Sequence, residues 1–330
     1  MRVLLIKPGA IGDLLQLSPV LRALKQSCPE ARISILVGNA ASVDLFRHNP
    51  LVDEILVYDK RGAHRSWRAF GRLWLELRRR NFDLVANYQR SNLKGWFLAA
   101  AALPCRVLVY HKQKNEIVHA VRNHLQAIAP LVGDPRLLDP VLELHLGPAE
   151  ERWAAELFDQ ETLTGRPVVA LNLGASHPVN RWPTARFAEL AEKLQAARIG
   201  VVLVGAAADR ELADAVLAKT GSRPLDLVGR TSLLQLGALL KRCSVVVSAD
   251  TGPMHMATAV GTPVVALFGA ADPARTGPVG EGHLVLQGAG PACIPCRSRT
   301  CRHTPQLECM ERITADQVLN ALGVILKNRA

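Results

Sequence analysis

The chain has 330 residues, of which 49% are hydrophobic and 21% are charged, and its formal net charge is +11. This length suggests about two domains, and the composition is that of an ordinary soluble globular protein. No apolar run approaches the roughly 20 residues of a membrane-spanning helix, and the apolar start of the chain is too short for a signal peptide. We therefore expect a cytoplasmic protein.

The first half of the sequence alternates strand-like and helix-like runs. Predicted strands cover residues 2–6, 32–37, 54–58, 83–87 and 106–110. Predicted helices cover residues 13–25, 40–46, 67–80, 92–102 and 115–129. Strands separated by helices of this length favour parallel pairing, with helices on both faces of the sheet.

The alternation stops between residues 130 and 148, where prolines interrupt a leucine-rich stretch, and then resumes. We interpret this stretch as the connection between two domains, residues 1–147 and 148–330. Predicted strands of the second half cover residues 167–173, 200–204, 225–228, 244–248 and 263–268. Its predicted helices cover residues 184–197, 209–219, 232–242 and 253–260. The fold class is therefore α/β, with two doubly wound, Rossmann-like domains and a ligand cleft between them at the carboxyl ends of the strands.

One region carries an excess of positive charge equal to that of the whole chain. Residues 60–124 contain fourteen lysines and arginines and three acids. Two interpretations stay open: a solvated basic face, or a surface for a polyanion such as nucleic acid, anionic lipid or a phosphorylated glycan. No zinc-finger spacing, aromatic sheet motif or basic heptad region favours nucleic acid. The aromatic residues among the arginines suit a membrane surface.

Several loops that follow predicted strands carry polar residues. The first, residues 7–13, has neither a dinucleotide fingerprint nor a P-loop, and it ends on Asp13. Asp13 caps the helix that follows, or it acts as a general base in the cleft. The loop of residues 173–183 offers Gly174, Ser176 and Arg181, which suit a diphosphate. Asp209, in the next such loop, caps a helix or binds ribose hydroxyls.

The most distinctive loop follows the predicted strand 244–248. It reads Asp250-Thr251-Gly252-Pro253-Met254-His255, in which a proline suits the first turn of a helix. A helix that starts at the end of a parallel strand directs free backbone N–H groups at a ligand, and phosphates bind there. His255 is a packing residue or a ligand contact. It follows the acid-hydroxyl-glycine sequence Asp250-Thr251-Gly252 by three residues, which favours ligand contact.

These motifs, in this order and spacing, resemble the heptosyltransferases of glycosyltransferase family nine. The resemblance covers nearly the whole chain and rests on residues 7–13, the loop ending in Arg181-Trp182-Pro183, and the elbow from Asp250 to His255. It implies a two-domain GT-B fold with an acceptor-binding N-terminal domain and a donor-binding C-terminal domain. It also implies an ADP-heptose donor, a lipopolysaccharide inner-core acceptor, and an inverting reaction that needs no divalent metal or other cofactor.

The resemblance further implies a role for individual residues. Asp13 matches the base that deprotonates the acceptor hydroxyl. Ser176 matches a residue whose hydroxyl contacts the donor phosphate, and Asp209 matches an acidic residue that binds the ribose. Asp250 matches the residue that contacts the donor sugar. Three further residues match those that bind the donor diphosphate in the family: Thr251, Gly252 and His255. One position departs from the family, because Asn180 stands where a lysine is usual; the neighbouring Arg181 is a candidate for the missing charge.

Four of the seven cysteines lie within 17 residues, separated by two, four and seven residues: Cys293, Cys296, Cys301 and Cys309. In a cytoplasmic protein such spacing favours a metal over disulfides. A structural four-thiolate metal site and a loop of reduced thiols stay open as interpretations.

The leading hypothesis is an ADP-heptose:lipopolysaccharide heptosyltransferase at the cytoplasmic face of the inner membrane. Its expected partners are the ADP-sugar donor, the lipopolysaccharide core and lipid A acceptor, and the anionic membrane surface, but no nucleic acid. The alternatives are a related GT-B transferase with another nucleotide sugar, and a nucleotide-binding module without catalysis.

Overall fold

The chain folds into two compact units, Met1–His145 and Leu146–Ala330. The structure is a computed structural model and describes residues 1–89, 93–110, 116–221 and 223–328. The predicted domain junction lies between residues 147 and 148, where an irregular stretch of chain ends and a helix begins at Pro148. Each unit contains one parallel sheet.

Unit 1 (residues 1–145) is built on five parallel strands. They are β1 (Arg2–Ile6), β2 (Arg32–Val37), β3 (Glu54–Val57), β4 (Leu84–Asn87) and β5 (Arg106–Val109). Its α-helices are α1 (Ile11–Leu15), α2 (Ser18–Ser27), α3 (Trp67–Arg79), α4 (Leu93–Ala100) and α5 (Ala120–Ile128). The strand order is β3-β2-β1-β4-β5, so the direction of winding reverses between β1 and β4. Val3 of β1 pairs with Ile33 on one side and Leu84 on the other.

Unit 2 (residues 146–330) is built on six parallel strands. They are β6 (Val168–Asn172), β7 (Gly200–Val204), β8 (Leu225–Asp226), β9 (Val245–Ala249), β10 (Val264–Phe268) and β11 (Leu284–Gln287). The helices are α6 (Pro148–Gln160), α7 (Thr184–Ala196), α8 (Arg210–Leu217), α9 (Leu233–Arg242), α10 (Gly252–Ala259), α11 (Pro273–Thr276), α12 (Glu308–Glu311) and α13 (Ala315–Lys327). The order β11-β10-β9-β6-β7-β8 reverses between β6 and β9.

The central strands are apolar because both of their faces are covered. Every residue of β6, β7, β9 and β10 is buried. Such runs cannot alternate between apolar and polar residues as half-exposed strands do, since both side-chain directions enter a core. The prediction of two doubly wound parallel sheets is confirmed.

Some predicted boundaries differ from the observed ones. The helix predicted over residues 13–25 is two helices, α1 and α2, because Pro19 occupies the first turn of a new helix and Ser18 Oγ donates to Leu15 O at 2.8 Å. The helix predicted over residues 115–129 begins at Ala120, where His119 caps it. Two predicted helix starts, Asn92 and Asn115, lie outside the described residues. Within those described parts, no helix is both long enough and apolar enough to cross a bilayer.

Candidate functional site

A buried amide joins the two strands between which the second sheet reverses direction. Asn172 is the last residue of β6, and its Nδ2 lies 3.1 Å from Gly174 O, 3.0 Å from Ser248 Oγ and 3.0 Å from Thr251 Oγ1. Asn172 is 2% exposed and Ser248 is fully buried. Buried polar groups that are hydrogen-bonded to each other fix one arrangement, since any other leaves them unsatisfied. The loops after β6 and β9 are therefore held at a fixed distance from each other.

The elbow after β9 carries an acid that hydrogen bonds orient. Thr276 Oγ1 donates to Asp250 Oδ2 at 2.9 Å, and His255 Nε2 lies 3.8 Å from Asp250 Oδ1. The Asp250 side chain is 18% exposed, whereas that of His255 is 5% exposed. The carboxylate of Asp250 is therefore the more exposed member of this pair.

Helix α10 begins at this elbow with free backbone donors. The first turn of an α-helix leaves its N–H groups without partners inside the helix, and the side chain of Thr251 does not cap them. Pro253 has no N–H to contribute, so Gly252 and Met254 supply the donors of this turn. With the dipole of the helix, they form a site that favours an anion.

Some residues of the loop after β6 face the candidate site, whereas others pack in the core. Ser176 is exposed, and Asn180 lines an open cavity of about 230 Å³ that also borders Asp250. Trp182, by contrast, is buried, and its Nε1 donates to Ile313 O at 2.8 Å. The tryptophan therefore anchors the loop, while the residues before it are presented at the sheet edge.

Arg181 does not line that cavity, although it follows Asn180 directly. The side chain is half-buried, and its Nε is buried without a hydrogen-bond partner among the described residues. The structure therefore gives no support to Arg181 as the replacement for the lysine that position 180 lacks.

Asp209 lies between the ends of β6 and β7. It is the N-cap residue of α8, but its side chain does not cap that helix. Its Oδ2 instead accepts a hydrogen bond from the backbone N–H of Ala206, in the turn before the helix, at 2.9 Å. A Cβ added to Gly174 would lie 2.2 Å from Asp209 Oδ2, so only glycine lets the loop after β6 approach this carboxylate. Asp209 is thus at the same edge of the sheet as Asp250.

Asp13 in unit 1 is not a helix cap. The N-cap of α1 is Ala10, and Asp13 is the third helical residue. Its Oδ1 forms an ion pair with Lys7 Nζ at 3.3 Å, and its side chain is 48% exposed whereas that of Lys7 is 10% exposed. A half-exposed carboxylate at the end of β1 is accessible to an incoming hydroxyl, which is the first requirement for a general base.

A buried histidine stands behind this ion pair. His124 lies between the rings of Tyr88 and Tyr110, each at 5.1 Å, and its Nδ1 is 3.4 Å from Gln16 O. Burial, helped by the charge of Lys7, lowers the pKa of His124 to about 3. The imidazole is therefore neutral at physiological pH and adds no charge beside Asp13.

Sequence reasoning missed several residues of these sites. Asn172, Thr276, Lys7 and His124 received no role, and neither did the arginines that border the cavity beside Asp250, which are Arg275, Arg297 and Arg299. The only signal for Asn172 was a polar residue at the end of an otherwise apolar strand. Thr276 and the arginines lie far along the chain from the residues they adjoin.

The four clustered cysteines lie near each other but do not match a metal site. They line one small cavity together with His303 and Glu308. Within residues 1–89, 93–110, 116–221 and 223–328, no group of three or more His, Cys, Asp or Glu side chains is arranged to hold a metal ion. His303 Nε2 is instead 2.7 Å from Glu308 Oε2, and burial with neighbouring thiols raises the pKa of Cys309.

The basic region predicted over residues 60–124 is largely a surface. Exposed arginines at positions 68, 72, 78 and 79 project from α3, and the exposed fractions of Trp67 and Phe97 are 79% and 59%. Arg80 differs, because it forms ion pairs with Glu54 and Glu76. Three of the fourteen basic residues, Arg90, Lys112 and Lys114, lie outside the described residues.

Comparisons with known proteins agree on one class. The family model described as glycosyltransferase family 9 (heptosyltransferase) matches residues 70–306. Lipopolysaccharide heptosyltransferase 2 of Salmonella typhimurium is 28% identical over 310 residues, which cover 87% of this chain and 88% of that protein.

Two solved structures have the same fold over nearly their whole length. A family 9 glycosyltransferase from Veillonella parvula has a TM-score of 0.86 and 23% identity, covering 99% of this chain and 97% of that one. The E. coli ADP-heptose lipopolysaccharide heptosyltransferase II has a TM-score of 0.80 and 24% identity, covering 100% of both chains.

Two doubly wound units with these strand orders, and the two solved structures, confirm the predicted GT-B fold. The chain belongs to glycosyltransferase family 9, the heptosyltransferase family. The prediction that it is a glycosyltransferase enzyme is confirmed as well.

Proposed function

We propose that this enzyme transfers heptose from ADP-heptose to the inner core of lipopolysaccharide. The observation that carries the proposal is the elbow after β9, where the donors of α10, Asp250 and His255 meet at one sheet edge. The names of the relatives support it, since they are lipopolysaccharide heptosyltransferases and one is named for ADP-heptose.

In this proposal unit 2 holds the donor. The N–H groups of Gly252 and Met254, with Thr251 and His255, receive the diphosphate, and Ser176 adds a hydroxyl donor. Asp250, which the hydrogen bond from Thr276 orients, contacts the heptose. Asp209 accepts from the ribose hydroxyls through the carboxylate oxygen that Ala206 leaves free.

Unit 1 supplies the base. The acceptor hydroxyl attacks the anomeric carbon, the bond from that carbon to the phosphate oxygen breaks, and ADP leaves with the electron pair. Asp13 takes the hydroxyl proton, which contributes roughly 10²- to 10⁴-fold to the rate. A single displacement of this kind inverts the anomeric centre, and the donors of α10 take up the charge on ADP without a divalent metal.

The test is a transfer assay by mass spectrometry, with ADP-heptose and a set of truncated lipopolysaccharide cores, in EDTA. We expect one core to gain the mass of a heptose. A gain only from a UDP-sugar would identify a GT-B transferase with another donor. Stabilisation against heat by a nucleotide, without transfer from any ADP- or UDP-sugar, would favour the non-catalytic module.

We also propose that the exposed face of α3 and α4 lies on an anionic membrane, at the cytoplasmic face of the inner membrane where the acceptor is made. This face combines exposed aromatic rings, Trp67, Trp96 and Phe97, with the exposed arginines of α3. Aromatic side chains enter the headgroup region, and each nearby arginine adds about 1 kcal/mol of attraction to anionic lipid. The interpretation as a solvated basic face accounts for the arginines but not for the exposed rings.

Sedimentation with anionic vesicles tests this face. We expect binding that falls as salt rises, and that falls several-fold in Arg72→Glu. Arg152→Glu makes the same charge change on an exposed position of α6 and should leave binding near that of the wild type. Equal losses in the two variants would mean that net charge, and not this face, drives the association.

A further inference from the structure

The segment between β11 and α12 carries two arginines to the cavity beside Asp250. This cysteine-rich segment (residues 288–307) has no helix or strand, but it is packed against the end of β10. The N–H of Arg297 donates to Ala270 O at 2.7 Å, and that of Gly288 donates to Phe268 O at 3.1 Å. A Cβ on Gly288 would lie 1.6 Å from Cys309 O, so the start of the segment packs tightly against α12. Its path is therefore fixed relative to the sheet edge.

The charges in this cavity are unevenly paired. Arg275 Nε lies 3.4 Å from Asp272 Oδ2, and both side chains are largely buried, so this pair is internally neutral. Arg297 and Arg299 line the same cavity and are exposed. Neither guanidinium forms a hydrogen bond or ion pair with any residue that the structure describes. Two positive charges thus face the space in front of Asp250 without a counterion from the protein's described parts.

The backbone at Arg297 points to a use for its side chain. Its φ is 52°, in the left-handed region that favours glycine over any residue with a Cβ. Strain of this kind occurs where the side chain or the loop shape has a function. The Arg297 guanidinium makes no hydrogen bond or ion pair with the described protein that would offset this strain.

We propose that Arg297 and Arg299 bind the diphosphate of the nucleotide-sugar donor. The inference rests on the proposed function, since it takes the cavity beside the elbow to be the donor site. A diphosphate ester carries two negative charges, and Asn180, which lines this cavity with His177 from the loop after β6, is neutral. Guanidinium groups match phosphate oxygens in a bidentate geometry, and they supply the charge that Asn180 lacks and that Arg181 does not bring to this cavity.

Calorimetry with ADP in EDTA tests the proposal directly. We expect Arg297→Gly and Arg299→Ala each to weaken ADP binding about 10-fold, and the double variant more. AMP has no second phosphate, so its affinity should change less. Arg297→Gly also relieves the backbone strain, so its melting temperature should equal or exceed that of the wild type, which separates lost binding from lost folding. Arg302→Ala removes an exposed arginine from the same segment and should bind ADP as the wild type does.

The possible outcomes distinguish failure of the proposed ADP-sugar donor from failure of the role of Arg297 and Arg299. Wild-type protein that binds UDP but not ADP would refute the proposed donor. Wild-type binding of ADP with unchanged affinity in the double variant would overturn the role of Arg297 and Arg299. Unchanged ADP affinity with a raised KM for the lipopolysaccharide acceptor would assign these arginines to acceptor anions instead, and this also overturns the proposal.

Discussion

Asp13 and Asp250 both follow a central strand at the point where its sheet reverses direction, but their surroundings differ. The carboxylate of Asp250 is 18% exposed, receives a hydrogen bond from Thr276, and lies above the buried network of Asn172. Asp13 is 48% exposed and contacts one lysine. Binding a donor needs groups held in place before the ligand arrives, whereas taking a proton needs a carboxylate that an acceptor can reach. This difference is what the proposed function requires, in which unit 2 binds the donor and unit 1 supplies the base.

Replacing Asp13 should have the largest effect on the rate of transfer. Asp13→Asn keeps the shape but cannot take a proton, so we expect kcat to fall 10²- to 10⁴-fold. The measurement is steady-state transfer from ADP-heptose. Asp44→Asn changes another ion-paired acid of unit 1 and serves as the control. If Asp13→Asn transferred heptose at the wild-type rate, unit 1 would not supply the base.

Breaking the buried network of unit 2 should instead reduce stability. Asn172→Leu leaves the Ser248 and Thr251 hydroxyls without their amide donor, so we expect the free energy of unfolding to fall by about 1–3 kcal/mol. Denaturant titration measures it. Ser248→Ala removes one partner of the amide and should cost less. A loss no larger than that of Ser248→Ala would mean that Asn172 does not hold the two loops together.

Crowding Asp209 should weaken donor binding with little effect elsewhere. A Cβ at position 174 would lie 2.2 Å from Asp209 Oδ2, so Gly174→Ala must displace that carboxylate. We expect ADP affinity to fall about tenfold, within the range for overpacked sites. Gly323→Ala adds a methyl group on α13 where no atom lies within 4 Å, and is the matched control. Unchanged ADP affinity in Gly174→Ala would remove Asp209 from the donor site.

The smallest effect should come from the histidine behind Asp13. The folded pKa of His124, about 3, lies below the ordinary value of 6.5, so the unfolded chain binds more protons and stability falls with pH from 6.5 towards 3. Between pH 7.5 and 6 this costs about 0.8 kcal/mol. His124→Gln should remove that part of the pH dependence in denaturant titrations. An identical pH dependence in the variant would show that His124 does not titrate in this way.

Local patterns predicted ten of the eleven strands and placed the candidate site residues at or near the ends of those strands. The apolar runs of β6, β7, β9 and β10 and the elbow after β9 were readable because each depends on neighbours in sequence. The position of His255, three residues after Gly252, likewise follows from one helical turn. Helix α6 and the strand β11 were not predicted, and α13 was missed as well.

The sequence could not predict contacts between distant segments. Thr276 reaches Asp250 only because α11 follows the strand beside β9, and Arg297 reaches the cavity through an irregular segment. The spacing of the four cysteines favoured a metal site. The loop brings all four to one small cavity, but the described residues contain no group of three or more His, Cys, Asp or Glu side chains arranged to hold a metal ion. Spacing limits which ligands can meet, whereas the path of the loop decides whether they do.

The most direct test of the division of labour is calorimetric titration of ADP into Asp13→Asn and Asn172→Leu side by side. The account predicts that Asp13→Asn binds ADP within about twofold of the wild type. It predicts that Asn172→Leu binds at least about fivefold more weakly, because the loops that receive the diphosphate are no longer held together. Weaker ADP binding by Asp13→Asn, together with unchanged binding by Asn172→Leu, would contradict it.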